Sequence, residues 1–138
     1  MGNLKRAWLI HTGDLPASAQ IRNTYGAENT PLKIGDTLYV CTPKSMVIAL
    51  DPATGKQKWR FDPKVSDEAI PYTAACRGVS YYAVPGAAAD APCAQRIILG
   101  TLDARIMALD ARTGQQCRDF GSNGQVRITD GMGQVPPC

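Results

Sequence analysis

Residues 49–59 read Ala49-Leu50-Asp51-Pro52-Ala53-Thr54-Gly55-Lys56-Gln57-Lys58-Trp59, and residues 108–114 start the phrase again as Ala-Leu-Asp-Ala-Arg-Thr-Gly. Recurrence at this spacing, with a turn signal in each copy, marks a stacked β architecture. Each copy has a short apolar strand (47–50 and 106–109), then an Asp-x-x-Thr-Gly turn, then a second strand. The turn needs its glycine because the backbone there takes a positive φ, and the Asp and Thr side chains can bond neighbouring main-chain N–H groups. One strand pair cannot bury both of its faces, so such a unit requires neighbours. The chain therefore reads as a piece of something repetitive.

Aligning the copies at Ala49 and Ala108 also pairs Thr42 with Thr101 and Phe61 with Phe120, while Trp59 falls opposite Arg118. A Trp at this position can lie flat between adjacent sheets, offering a large apolar face and an N–H that needs an acceptor. The competing reading is a core tryptophan of any β-sheet. Outward from the repeat, residues 5–12 read as a strand ending at Gly13-Asp14, and residues 15–30 as polar and irregular. Residues 31–50 then form a hairpin turning at Gly35-Asp36, and strands over 46–50 and 57–61 follow. Four short antiparallel strands in succession amount to roughly one propeller blade. Residues 62–95 interrupt the pattern with a polar stretch, a Cys-Arg-Gly-Val-Ser-Tyr-Tyr run and an Ala/Pro-rich loop. Strands resume over 96–100, 106–109 and 115–120, and a glycine-rich tail starts at Gly121. No segment has helical periodicity. The expectation is an all-β chain of about two blades: 1–138 as a partial β-propeller, with a first blade region at 5–61, an insertion at 62–95 and a second blade region at 96–138.

With 138 residues, 44% of them hydrophobic and 20% charged, the composition suits one globular domain. The net charge of +3 is mild and its basic residues are scattered, which argues against a nucleic-acid partner. No apolar run approaches a membrane span, and the amino terminus carries neither a signal-peptide pattern nor a myristoylation signal. Five cysteines, Cys41, Cys76, Cys93, Cys117 and Cys138, contain no C-x-x-C pair, so zinc is not expected. An oxidising compartment with one or two disulfides is the better reading, with the pairing left open. The odd cysteine is the last residue, a hint that the chain is cut from a longer one.

Ala49-x-Asp51-x-x-Thr54-Gly55-x-x-x-Trp59 resembles the tryptophan-docking motif of the pyrroloquinoline quinone (PQQ) dependent dehydrogenases. Three further stretches carry the resemblance: 28–40 (Glu-Asn-Thr-Pro-Leu-Lys-Ile-Gly-Asp-Thr-Leu-Tyr-Val), similar to the family's first-blade segment; 76–82, similar to its cofactor-contacting loop; and 96–114, similar to the following blade. With Ala7-Trp8 and Thr12-Gly13-Asp14, nearly the whole chain is covered in the family's order. The subgroup it resembles is the membrane-bound glucose/quinate/shikimate dehydrogenases.

The resemblance implies an eight-bladed propeller in which PQQ and Ca²⁺ oxidise an alcohol or sugar hydroxyl and electrons pass to ubiquinone, on the periplasmic side of the bacterial inner membrane. This chain would supply about two blades and depend on the remaining ones. The calcium ligands and the catalytic base would lie further along and the membrane anchor before Met1, so no catalytic or metal residue is assigned here. Glucose-type relatives tend to carry a histidine just before the Cys-Arg-Gly loop. Tyr72-Thr73-Ala74-Ala75 stands there instead, which tilts the substrate toward quinate, shikimate or another polyol.

By the same resemblance, four residues are cofactor candidates. Arg77 can hold quinone oxygens or a carboxylate with its fork of donors; the bland reading is a loop arginine. Glu28 matches a family carboxylate that accepts from the cofactor ring or a nearby Arg, against a solvated glutamate. Thr101, at a strand end, can donate to a PQQ carboxylate, against a β-favouring residue with no special task. Cys76 stands where more distant alcohol dehydrogenases of the family use two adjacent cysteines. Ala75 takes the other place here, so Cys76 reads as structural and bridged elsewhere. The lone His11 makes no metal site, and Asp51 and Asp110 read as turn caps. A second reading is a non-catalytic propeller module of the envelope-assembly lipoprotein type, which would have no use for Glu28 or an Arg at the channel. In either case the isolated chain is expected to expose sheet edges, and it is not expected to turn over substrate.

Overall fold

A computed structural model describes residues 2–16, 24–70 and 72–133, so Cys138 and part of the irregular stretch before Thr24 lie outside the described residues. Among the described residues, ten strands are arranged in three sheets. The first four-stranded sheet runs β2 (Leu32–Ile34), β3 (Thr37–Cys41), β4 (Val47–Leu50) and β5 (Gln57–Phe61), all antiparallel neighbours in chain order. The second holds β7 (Ser80–Ala83), β8 (Gln95–Gly100), β9 (Arg105–Asp110) and β10 (Gln125–Arg127), again antiparallel. A short parallel pair joins β1 (Thr24–Gly26), which precedes the first sheet in sequence, to β6 (Thr73–Ala75), which lies between the two. One 3₁₀ turn at Asp67–Ala69 is the only helical element among the described residues. The all-β expectation holds.

The two larger sheets pack face to face. Tyr39, Val47, Ala49 and Trp59 of the first meet Ile97, Leu99, Met107 and Leu109 of the second in one apolar core. Strand β3 alternates buried and half-buried residues, as a one-sided strand should, whereas β4 is buried at every position because it is covered on both faces. That two-sided cover is what a stacked blade requires.

The repeated turn explains the stacking. Asp51 Oδ1 accepts from the backbone N–H of Ala53 and Thr54, and Asp110 Oδ1 accepts from those of Arg112 and Thr113. Each turn closes on a glycine at positive φ, Gly55 at 70° and Gly114 at 73°. An indole lies on each glycine: a Cβ at Gly114 would sit 2.5 Å from Trp59, and one at Gly55 would sit 2.6 Å from Trp8. Trp59 Nε1 donates to Ala111 O at 3.0 Å, and Trp8 Nε1 to Pro52 O at 3.1 Å, the same position in each turn. Trp8 thus docks on the first sheet as Trp59 docks on the second.

Three local expectations change. Residues 5–12 form no strand among the described residues; they are held to the first sheet by side chains instead, through Trp8 Nε1 on Pro52 O and Arg60 Nη2 on Thr12 O. The run over 80–83, read as part of the interruption, is the edge strand β7, because Ser80, Tyr81 and Tyr82 pair with Ile98, Ile97 and Arg96. Residues 115–120 do not form a continuous strand. Cys117 N bonds Ala108 O, the chain turns outward, and pairing resumes with Ala108 N on Gly124 O and with β10 against β9. Gly121, Asn123 and Gly124, all at positive φ, make that excursion possible.

Two disulfides, Cys41–Cys76 and Cys93–Cys117, close loops with sequence separations of 35 and 24. Chain entropy assigns loops of this size about 3–4 kcal/mol each.

Candidate functional site

Antiparallel order decides which loops share an end of a sheet. In the first sheet Leu32 faces Tyr39 and Cys41 faces Val47, so the residues before β2 and the turn at 42–46 lie at one end. In the second, Ser80 faces Ile98 and Gly100 faces Ile106, which puts the residues before β7 and the turn at 101–105 at one end too. The parallel pair β1–β6 joins these ends, with Gly26 opposite Ala75 and Thr30 N donating to Arg77 O at 2.9 Å. Glu28, Cys76, Arg77 and Thr101 therefore gather on one side of the stacked sheets, opposite the docking turns.

Glu28 and Arg77 meet directly. Arg77 Nη2 lies 3.1 Å from Glu28 Oε2, with the two side chains 86% and 45% exposed. In water such a pair contributes little to stability, so the contact orients the two groups without anchoring the fold. The backbone beneath is tighter. A Cβ at Gly78 would be 3.3 Å from Thr30 O, so glycine lets the two segments approach. Cys76, buried at 7% exposure, is tied by its disulfide to Cys41 at the end of β3. Asn29 Nδ2 donates to Cys41 Sγ at 3.0 Å. A cleft of about 390 Å³ opens beside these groups, lined among others by Tyr25, Glu28, Asn29, Cys41, Pro43 and Cys76.

Thr101 is committed locally. Its hydroxyl donates to Asp103 and accepts from Arg105 N at 3.1 Å, while its own N–H bonds Arg105 O. Thr42 closes the aligned turn in the same way through Met46 N, and Ser45 and Ala104 both take positive φ there. Burial works against the charge of Asp103, but its bonds from Arg105 and Thr101 outweigh that and hold its carboxyl below the usual carboxylate value. Nearby, the Lys44 ammonium, 2.8 Å from Asp67, holds that carboxyl low, and the Lys44 pKa is raised in return.

Asn29 escaped the sequence reading, and Cys41 entered it as one of five cysteines whose pairing was left open. Cys41 ends an apolar strand like any core residue, and nothing in its spacing pointed to Cys76. His11 is exposed, and Asp51 and Asp110 cap their turns as expected. At Asp110, burial opposes the charge but the N–H groups of Cys93, Arg112 and Thr113 outweigh it, lowering the pKa. Among the described residues, the one compact group of metal-ligand types is Cys93, Cys117 and Asp119. Its two sulfurs are bonded to each other and offer no thiolate.

Face-packed antiparallel sheets of four strands, each receiving an indole on a turn glycine, define a β-propeller segment. Comparison with known proteins gives the family. The family described as glucose/ethanol/alcohol dehydrogenase, beta-propeller domain (PQQ), matches residues 1–138. The glycerol dehydrogenase large subunit of Gluconobacter thailandicus is 48% identical over 134 residues, covering 97% of this chain and 18% of its own length. Quinoprotein glucose dehydrogenase A of Acinetobacter calcoaceticus is 37% identical, covering 98% of this chain and 18% of its own length. Among solved structures, the quinohemoprotein alcohol dehydrogenase of Comamonas testosteroni superposes with a TM-score of 0.62 at 25% identity, over 80% of this chain and 14% of that one. The chain belongs to the PQQ dehydrogenase β-propeller family. It spans about a fifth of the length of the curated relatives it matches.

Proposed function

We propose that this chain is the part of a PQQ-dependent dehydrogenase that holds one edge of the cofactor, in an enzyme oxidising a sugar, polyol or cyclic hydroxy acid and passing electrons to a quinone. The observation that carries the reading is the meeting of Arg77 and Glu28, brought from loops 49 residues apart to one end of two stacked blades. PQQ is a planar tricarboxylate with an ortho-quinone, and this donor set suits it. Arg77 contacts Glu28 through one nitrogen and is otherwise open to a ligand's oxygens, and Glu28 can accept from a ring N–H. The buried Cys41–Cys76 disulfide offers an apolar floor next to them. Thr101 would join by turning its hydroxyl from Asp103 to a carboxylate. When bound, PQQ supplies the two-electron oxidation of the alcohol carbon. Arg77 would orient it and stabilise negative charge on its reduced oxygens.

Calcium ligands and the base would come from blades beyond these residues, and the site would face the periplasm at the inner membrane. The relatives named for glycerol and glucose oxidation support that substrate class. The Tyr72-Thr73-Ala74-Ala75 stretch and the glycerol dehydrogenase likeness favour a polyol over glucose. The test is dye-linked oxidation by the full-length protein loaded with PQQ and Ca²⁺, across glycerol, other polyols, quinate, shikimate and glucose. The reading predicts PQQ-dependent turnover with a polyol preferred over glucose. No PQQ-dependent turnover on any of them would refute it.

A further inference from the structure

We infer that the Cys41–Cys76 disulfide is a positioning device, which clamps the Arg77 loop in the conformation that presents the guanidinium beside Glu28. The inference rests on the functional reading above only for what the presented guanidinium binds.

The loop needs a clamp. Residues 62–79 cross from the end of β5 to the start of β7 outside both four-stranded sheets. Their apolar anchor is small, Val65, Ile70 and Ala74 against Tyr25 and Leu102. It lies on the amino-terminal side of Cys76, so it does not hold Arg77 itself. The Arg77 side chain is 86% exposed and pairs with a half-exposed carboxylate, too weak a contact to fix the backbone. The nearest ties to Arg77 are the β1–β6 pairing that ends at Ala75, the packing of Val79 on the core, the main-chain bond from Thr30 to Arg77, and the disulfide one residue before it, the one covalent tie among them.

The disulfide's far end is firm. Cys41 is 5% exposed, ends the ladder of β3 against β4, and receives Asn29 Nδ2 on its sulfur. Asn29 neighbours Glu28, so one sulfur pair references both members of the Glu28–Arg77 pair to the rigid first sheet. Cys93–Cys117 provides the contrast. It closes a loop of similar size, separation 24 against 35, but on residues that contact neither Glu28 nor Arg77. A disulfide that served stability alone would behave the same at either place.

The experiment uses the full-length protein and two paired variants, C41S/C76S and C93S/C117S. A third, Cys41→Val with Cys76→Ala, refills the first site with apolar atoms should the serine pair fail to fold. Two readouts are taken on each: PQQ affinity, and the rate of tryptic cleavage at the Arg77–Gly78 bond of the cofactor-free protein, followed by mass spectrometry. The inference predicts cleavage at that bond accelerated about tenfold or more and PQQ bound about tenfold more weakly in the Cys41/Cys76 variants. Both are unchanged in C93S/C117S, whatever the two do to the melting temperature. Unaltered cleavage and affinity in the Cys41/Cys76 variants, or equal changes in C93S/C117S, overturns the clamp. Absence of PQQ binding by the unsubstituted protein overturns the cofactor reading instead, and the cleavage rates then decide the clamp alone.

Discussion

Gly114→Ala should be among the most damaging single-methyl additions in this chain, and its cost can be divided into two parts. Gly114 has φ of +73°, and any L-residue there pays roughly 1–2 kcal/mol of backbone strain. Gly35 has φ of +55° and open space where a Cβ would go, so Gly35→Ala carries the strain alone. At Gly114 the added methyl would also lie 2.5 Å from the Trp59 ring. That indole is only 8% exposed and tethered to Ala111 O, so it cannot simply step aside. Overpacking of this kind costs a further ~1–3 kcal/mol, for a total of about 2–5. Gly55→Ala should fall between the two, because Trp8 sits on a half-buried, unladdered segment that can give way. Urea denaturation followed by tryptophan fluorescence ranks the three, and the indole environment should shift in the Gly114 variant alone among Gly114→Ala and Gly35→Ala. A Gly114→Ala midpoint no lower than that of Gly35→Ala would refute the docking argument.

Three further outcomes are expected. Trp59→Ala should cost about 3–5 kcal/mol. Tyr39 Oη also donates to Ala111 O, at 2.9 Å, so that carbonyl stays satisfied until Tyr39→Phe is added, and the double variant should lose more than the sum of the singles in a denaturation cycle. Asp110→Asn should remove stability in a pH-dependent way. The folded pKa lies below the ordinary value near 3.9, so the carboxylate's contribution is full above that value and is lost as pH falls through the folded pKa. The gap between Asp110→Asn and the parent, measured from pH 2 to 7, should be wide near neutrality and close in acid; a constant gap would contradict this. Finally, residues 1–138 alone should show no PQQ- and Ca²⁺-dependent dye reduction, because they span about a fifth of the length of the relatives they match.

The fold was legible wherever local chemistry was repeated. Asp-x-x-Thr-Gly and a following Trp announce a turn, a glycine and a docking indole, and the offset of 59 residues carried Thr42 onto Thr101 in identical turns. Trp8 did the same work unseen, since the turn that receives it follows it by more than forty residues and nothing in its own neighbourhood names the partner. The outer strand of the second sheet was misplaced because Cys117 and Gln125 continue one edge across a looped excursion, and a linear pattern cannot show that two separated runs share a ladder. At the site, the resemblance to the family pointed to Arg77 and Glu28, but their meeting depends on the parallel pairing of two three-residue strands too short to be read from sequence. The partner of Cys41 was not legible for a related reason: its sequence spacing to Cys76 does not show that the two are brought together by that pairing.

The most direct test is the PQQ affinity of the full-length protein with Arg77→Ala and with Glu28→Gln, alongside Lys56→Ala at an exposed turn as a control. A charge-assisted contact of the kind assigned to Arg77 contributes about 1.5–3 kcal/mol, so Arg77→Ala should weaken PQQ binding by roughly ten- to a hundredfold, Glu28→Gln by less, and Lys56→Ala not at all. Equal affinity in all three variants would mean that the end of the blades where Glu28 and Arg77 meet is not where the cofactor sits.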